Sequence, residues 1–320
     1  MSPVIRQILV PLDGSALAEA VLPTAMALAG GFGARLVLLH IIEERAPETI
    51  HGQRHLTEGA RAQAYLDEVA RRPIFQGHAV EVHVHLPKEG DVAESIVAHA
   101  QEVGADLVVL STHGKSGLRS LLFGSIAMRV LQRWTTPILL VNPTAAGEAP
   151  PFVCRTILVP LDGTPAHEPA LGVASTLARA WDAALRLVIV VPTVGTLSGH
   201  EAATGLFMPL TKRALLDLAE RGADEYVQRL AEKLTAEGVP SRGYVSRGEP
   251  AASVGEAANR VGANLVVVAS HAKGALDAFW SGSLTPKLIQ TLGRPLLLVR
   301  AAAEDAARPV ADTSSVREDV

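Results

Sequence analysis

The seven residues "ILVPLDG" occupy positions 8 to 14 and return at positions 157 to 163. A short apolar run that stops at Pro and Asp-Gly reads as a buried strand followed by a tight exit turn. Further matches extend the repeat: "RLVLLHI" pairs with "RLVIVVP", "VGADLVVLSTHGK" with "VGANLVVVASHAK" and "TTPILLV" with "GRPLLLV". These words align Ile8 with Ile157, Arg35 with Arg186 and Leu107 with Leu265. Similarity running from the first strand to the last is duplication of a whole domain. A chain of 320 residues also exceeds what one hydrophobic core usually organises.

Within each copy, β-rich runs alternate with helical patterns, which predicts a parallel sheet covered by helices on both faces. Strands are expected near 5–10, 35–41, 79–85, 106–110 and 138–141, with helices near 15–30, 56–71, 91–102 and 125–134. In the second copy the strands fall near 155–160, 185–191, 241–245, 264–269 and 296–299, with a longer helix over 211–236. Pro23 lies inside the first predicted helix, where it should remove a hydrogen bond and bend the axis. The Pro-, Ala- and Gly-rich stretch "NPTAAGEAPPF" reads as a connection. The expected divisions are a first domain over 1–143, a linker over 144–152, a second domain over 153–300 and a disordered tail over 301–320.

Composition removes several function classes. A net charge of −4, no Lys/Arg cluster and 4% aromatic residues argue against a grip on nucleic acid or an anionic membrane surface. Apolar runs such as "LRLVIVVP" fall far short of the roughly 20 residues needed to cross a bilayer. Cys154 is the single cysteine, so no internal disulfide framework exists. The opening "MSPVIRQILV" lacks the features of a secretory signal, and the expected location is the cytoplasm.

Open parallel sheets gather ligands at the carboxyl ends of strands, where neighbouring crossovers leave in opposite directions. That rule selects "PLDGS" after the first strand and "STHGKSGLRSLLFGS", residues 111–125, after the fourth. Gly114 lets backbone N–H groups turn toward an anion, and Gly124-Ser125 opens the helix "SIAMRVLQRW", whose first amides lack intrahelical partners. A phosphate chain fits between them. Lys115 adds a mobile positive charge, and Asp13 is an acceptor for a ribose hydroxyl or a bound divalent metal such as Mg.

Taken in order, "ILVPLDGS", "LLHI", "ADLVVLSTHGKSGL…LLFGS" and "TPILLV" resemble the universal stress protein family in its tandem two-domain form. The resemblance implies two tandem doubly wound parallel five-stranded sheets, each of strand order 3-2-1-4-5. This is the Rossmann-like, adenine nucleotide alpha hydrolase-like architecture. It also implies subunits paired through their last strands and, in some members, ATP held by a G-x2-G-x9-G-[S/T] loop. Here Ser111 stands at the first glycine position, followed by Gly114, Gly124 and Ser125. By the same resemblance Pro11, Asp13 and Ile41 surround adenine and ribose. Leu110, Ser111, Thr112, His113, Gly114, Lys115, Ser116, Gly124, Ser125 and Ile126 belong to the phosphate loop and its flanks.

The second copy departs further, with Ala269 and Ala272 in place of the early glycines before Gly282 and Ser283. Pro160 and Asp162 persist, whereas Pro192 replaces Ile41 and lacks an N–H for a base. The turn is repeated because the fold is repeated, and nucleotide binding is expected mainly in the first domain. Plainer readings stand beside these. Asp13, Asp162 and the Gly-Ser pairs are also good helix caps. The tripeptide "GKS" is no P-loop, because Val109 stands where that motif needs glycine. His83 with His85, and His51 with His55, have spacings that suit a metal, but no carboxylate or cysteine cluster completes either, which favours a solvated face. His113, repeated as His271, lacks an evident nucleophile to serve.

These observations favour a non-enzymatic, adenine-nucleotide-responsive stress protein that acts through unidentified protein partners. The alternatives are a metal-dependent ATP hydrolase or nucleotidyl transferase, and a ligand-free interaction module. Pairing of the two fifth strands, "PILLV" with "PLLLV", is expected to make an internal pseudo-dimer and leaves homodimerisation of the whole chain open.

Overall fold

The computed structural model describes residues 5–43, 49–50, 53–54, 56–86, 91–112, 125–143, 151–196, 209–270 and 284–301. The expected disordered tail past Ala301, and residues 144–150 of the expected linker, lie outside them.

In the first copy the strands are β1 (Gln7–Pro11), β2 (Arg35–Ile41), β5 (Val80–His85), β6 (Leu107–Ser111) and β7 (Ile138–Val141). A small hairpin, β3 (Thr49–Ile50) with β4 (Gln53–Arg54), stands apart from this sheet. The second copy contributes β8 (Thr156–Leu161), β9 (Ala184–Val191), β10 (Ser241–Arg247), β11 (Leu265–Ser270) and β12 (Leu296–Arg300). All ten main strands join one sheet, in the order β10-β9-β8-β11-β12-β7-β6-β1-β2-β5. Each half therefore has the strand order 3-2-1-4-5. The duplication extends to register: Ile8 sits opposite Leu36 and Leu107, and its counterpart Ile157 opposite Leu185 and Leu265.

Pairs within each half are parallel, while β12 meets β7 antiparallel, with Leu297 opposite Leu139. Arg300 also donates across this seam to the Trp134 carbonyl at 2.7 Å. Because side chains alternate across the sheet, Leu139 and Leu297 enter one hydrophobic layer, and Leu140 and Leu298 enter the other. Both layers run through both copies. On one face the contact is reinforced by Phe32 and Trp181, whose rings meet edge to face at 5.0 Å.

The helix expected over 15–30 is two helices, α1 (Ala16–Glu19) and α2 (Leu22–Phe32). Pro23 lies in the first turn of α2, where a missing N–H breaks no intrahelical bond, so the expected bend is replaced by a break before it. Next come α3 (Gly59–Ala70), α4 (Val92–Glu102), α5 (Ser125–Arg133) and, in the second copy, α6 (Pro169–Trp181). The long helix there spans Pro209–Ala236. One symmetric half-buried tie was not anticipated. Tyr65 on α3 donates to Glu19 at 2.8 Å, and Tyr226 on the long helix donates to Glu168 at 2.7 Å. Each bond anchors the helix after the second strand to the helical segment after the first.

Candidate functional site

In the first half the crossovers from β1 and β6 leave in opposite directions, and a cleft of about 380 Å³ opens at the carboxyl ends of those strands. The β1 exit supplies Pro11 and Asp13. Gly14 follows with φ +88°, a conformation that side chains bearing Cβ resist, and it turns the chain into α1. Asp13 Oδ1 accepts the Ser15 N–H at 2.9 Å, and Ser15 Oγ accepts the Ala18 N–H at 3.1 Å. Ser15 is thus the helix cap, and Asp13 shapes the turn in front of it while lining the cleft.

Ile41 ends β2 two residues beyond Leu39, the last residue of that strand in register with β1. Leu39 turns its carbonyl to that side, where it accepts the Leu12 N–H at 2.8 Å. By strand alternation the Ile41 backbone N–H and C=O face the same edge, past the end of β1 and toward the cleft. His40 lies beneath, almost fully buried, with Nδ1 2.8 Å from the Leu12 carbonyl and Nε2 3.1 Å from that of Leu56. It holds the floor to the segment that follows the hairpin.

The opposite wall comes from Leu110 and Ser111 of β6, Val92 and Ile96 of α4, and Ser125, Ile126 and Arg129 of α5. The apolar walls with a few polar groups at the mouth suit a flat ring carrying a polar tail. Seven sequence-selected residues converge here: Pro11, Asp13, Ile41, Leu110, Ser111, Ser125 and Ile126. Thr112 does not. It is buried in the sheet, where its N–H and hydroxyl both donate to the Val141 carbonyl, at 2.8 and 3.2 Å. His113, Gly114, Lys115, Ser116 and Gly124 lie outside the described residues.

Arg129, which is not among the residues singled out from the sequence, also lines the cleft. Arg129 lies one turn into α5 from Ser125, and its guanidinium pairs with Asp91 at 3.4 Å. Asp91 in turn caps α4, accepting the Ala93 N–H at 2.9 Å. Its spacing of four from Ser125 is the signal that would have placed it on the same helix face. The second copy rebuilds the pair as Lys287 with Glu249 at 2.7 Å, again with the carboxylate capping the helix that follows the third strand.

At the second copy's corresponding exit, Asp162 is engaged by its own chain. Oδ1 accepts from the Thr164 N–H and hydroxyl at 2.9 and 2.8 Å, and Oδ2 lies 2.8 Å from His167 Nδ1. Pro160 stays within β8. Ser270, the last residue of β11, receives a hydrogen bond from Thr285 at 3.1 Å, tying that strand end to the following helix. Gly282 and Ser283 lie outside the described residues.

Elsewhere, burial pushes the Cys154 thiol up to about 12, so it is no nucleophile near neutrality. The histidines of β5 do not simply face solvent, as their strand alternation suggested: His83 and His85 meet a third imidazole, His99 of α4. Among the described residues no helix is long and apolar enough to cross a membrane.

The comparisons with known proteins follow the same division of the chain. The model of the universal stress protein family matches twice, over residues 5–142 and 154–300. A universal stress protein of Mycolicibacterium smegmatis is 28% identical over 312 residues, covering 92% of this chain and 96% of its own length. A shorter one of Thermus aquaticus is 31% identical over 137 residues, 43% of this chain and 98% of its own. The crystal structure of a universal stress protein from Archaeoglobus fulgidus shares the fold, with a TM-score of 0.66 over 93% of this chain and 97% of its own at 16% identity. Two consecutive matches that together take in nearly the whole chain, on a sheet that is itself built twice, make this protein a tandem member of the universal stress protein family.

Proposed function

We propose that this chain is a non-enzymatic stress protein that binds an adenine nucleotide, ATP in the first instance, in the cleft of its first half. The observation that carries the reading is the cleft itself: apolar walls from β2, β6 and α4, with Asp13, Ser111, Ser125 and Arg129 at its polar margin. The base takes the apolar slot beside the Ile41 backbone, the ribose hydroxyls meet Asp13, and the phosphates run toward Ser125 and the amino-terminal amides of α5. Ordering of the nucleotide-bound segments then biases contact with other proteins. In the second half Asp162 is already engaged by Thr164 and His167, which supports a reading in which that site is weak or lost.

One observation favours a second reading. Arg129 adds a cation that a metal-dependent hydrolase or nucleotidyl transferase would require at the transferring phosphate. Binding and product assays separate the two. Labelled ATP is expected to be retained by the purified chain and lost with Gly114→Asp, with no turnover. No retention at micromolar protein, or equal retention by both proteins, contradicts nucleotide binding. Metal-dependent product formation that disappears with Asp13→Ala replaces the first reading with the second.

A further inference from the structure

His83 and His85 project from the same face of β5, the outermost strand of the sheet, and α4 brings His99 onto them. His83 Nδ1 lies 2.8 Å from His99 Nε2, and the ligand atoms of all three imidazoles fall within 4.8 Å of one another. We propose that His83, His85 and His99 form a site for a divalent transition ion, zinc foremost, that clamps α4 to the edge strand β5.

The spacing is close to what such an ion requires. Zinc–nitrogen bonds of about 2.0–2.1 Å in a tetrahedron set nitrogens about 3.3–3.4 Å apart. The His83–His99 pair must open by roughly half an ångström and His85 must swing inward, which its exposed side chain permits. Three imidazoles fill three positions, and the exposed side of His85 leaves the fourth to water.

The nitrogens pointing away from the proposed ion also have partners. His83 Nε2 lies 3.7 Å from Glu81, and His99 Nδ1 lies 3.4 Å from Glu102. Carboxylates behind metal-bound imidazoles fix the tautomer and strengthen the donor nitrogen.

A structural need for these histidines is answered by the duplication. His83 stands opposite Leu39 in β2, and the equivalent strand pair in the second copy places Ser246 opposite Val190. Ala257 occupies the place of His99. The same strand and helix therefore pack without imidazoles, and the cluster belongs to the first copy alone. Since Ile96, one turn before His99, lines the cleft, the ion would brace that wall without touching the cleft's polar groups.

The test uses the full chain, stripped of metal with a chelator and titrated with Co2+ alone and then Zn2+ alone. One equivalent of Co2+ is expected to bind with the intense visible bands of a four-coordinate ion, Zn2+ is expected to displace it, and Zn2+ is expected to raise the melting temperature. His85→Ala, at an exposed position with little folding risk, should weaken binding at least about tenfold and abolish the thermal shift. His99→Gln should do the same, with circular dichroism confirming the fold, while His78→Ala should leave the titration unchanged. Absence of a stoichiometric site in the wild type, weak six-coordinate bands, or a titration unaltered by His85→Ala would each overturn the proposal. None of these readouts involves nucleotide.

Discussion

Leu139 and Leu297 face each other across the antiparallel seam, each 2% exposed and both in the same hydrophobic layer. If that layer is continuous through the two copies, the chain should melt as one unit, although each copy resembles a complete domain. Truncating a fully buried leucine to alanine costs about 3 kcal/mol, within the range measured for well-packed cores. With a urea slope of about 3 kcal/mol per molar, at the upper end for small domains, the midpoint of Leu139→Ala should fall by about 1 M. Leu297→Ala should cost a similar amount. Because the two side chains are direct cross-strand partners, the double variant should cost less than the sum, by about 1 kcal/mol. Urea melts followed by far-ultraviolet circular dichroism and by tryptophan fluorescence provide the assay. Trp134 lies in the first copy and Trp181 in the second, so the two signals sample both halves. Coincident transitions that move together in each variant are expected. A two-step melt in which Leu139→Ala shifts one step and leaves the other in place would refute the shared core.

A second expectation concerns Gly31, where an added Cβ would lie 2.6 Å from Cη2 of Trp181. Gly31→Val should lower stability by about 1–3 kcal/mol despite the better helix propensity of valine, and combining it with Trp181→Ala should recover part of the loss in thermal melts. A stabilised single variant would show that the two copies do not touch there. The third expectation is a pH dependence. The hydrogen bond from Lys287, and then the Ala252 N–H, hold the Glu249 carboxyl below its ordinary value of 4.5. A carboxylate depressed in the folded state adds stability that is fully present above the unfolded value and disappears as pH falls through the folded one. Glu249→Gln should therefore destabilise the chain near neutrality, by less than about 1 kcal/mol for a pair this exposed, and the difference should shrink as pH falls below the ordinary carboxylate value. A gap of constant size across that range would contradict the assignment.

Local pattern carried most of the architecture. The strand positions, the crossover helices and the duplication are readable because apolar runs, turn residues and repeated words act within a few residues or by direct comparison of two stretches, whereas the joining of the fifth strands followed from the family resemblance. The cleft was readable as far as the strand ends, since the switch-point rule ties a site to the exits of β1 and β6. The direction of Thr112 was not readable, because adjacency to Ser111 says nothing about which side of the sheet a hydroxyl turns to, and its donors go to Val141. Pro23 was read as a bend because the pattern runs through it, whereas the backbone restarts the helix there.

What the amino-acid order determined alone is therefore a doubled α/β unit with a switch point between the exits of its first and fourth strands. Tertiary structure decided which distant side chains meet: Arg129 with Asp91 at the cleft, Tyr65 with Glu19, and His99 with His83 and His85. The physical reason is that period and propensity fix each element's own faces. The angle and depth at which a crossover helix lands on the sheet emerge only when both hydrophobic layers are packed at once.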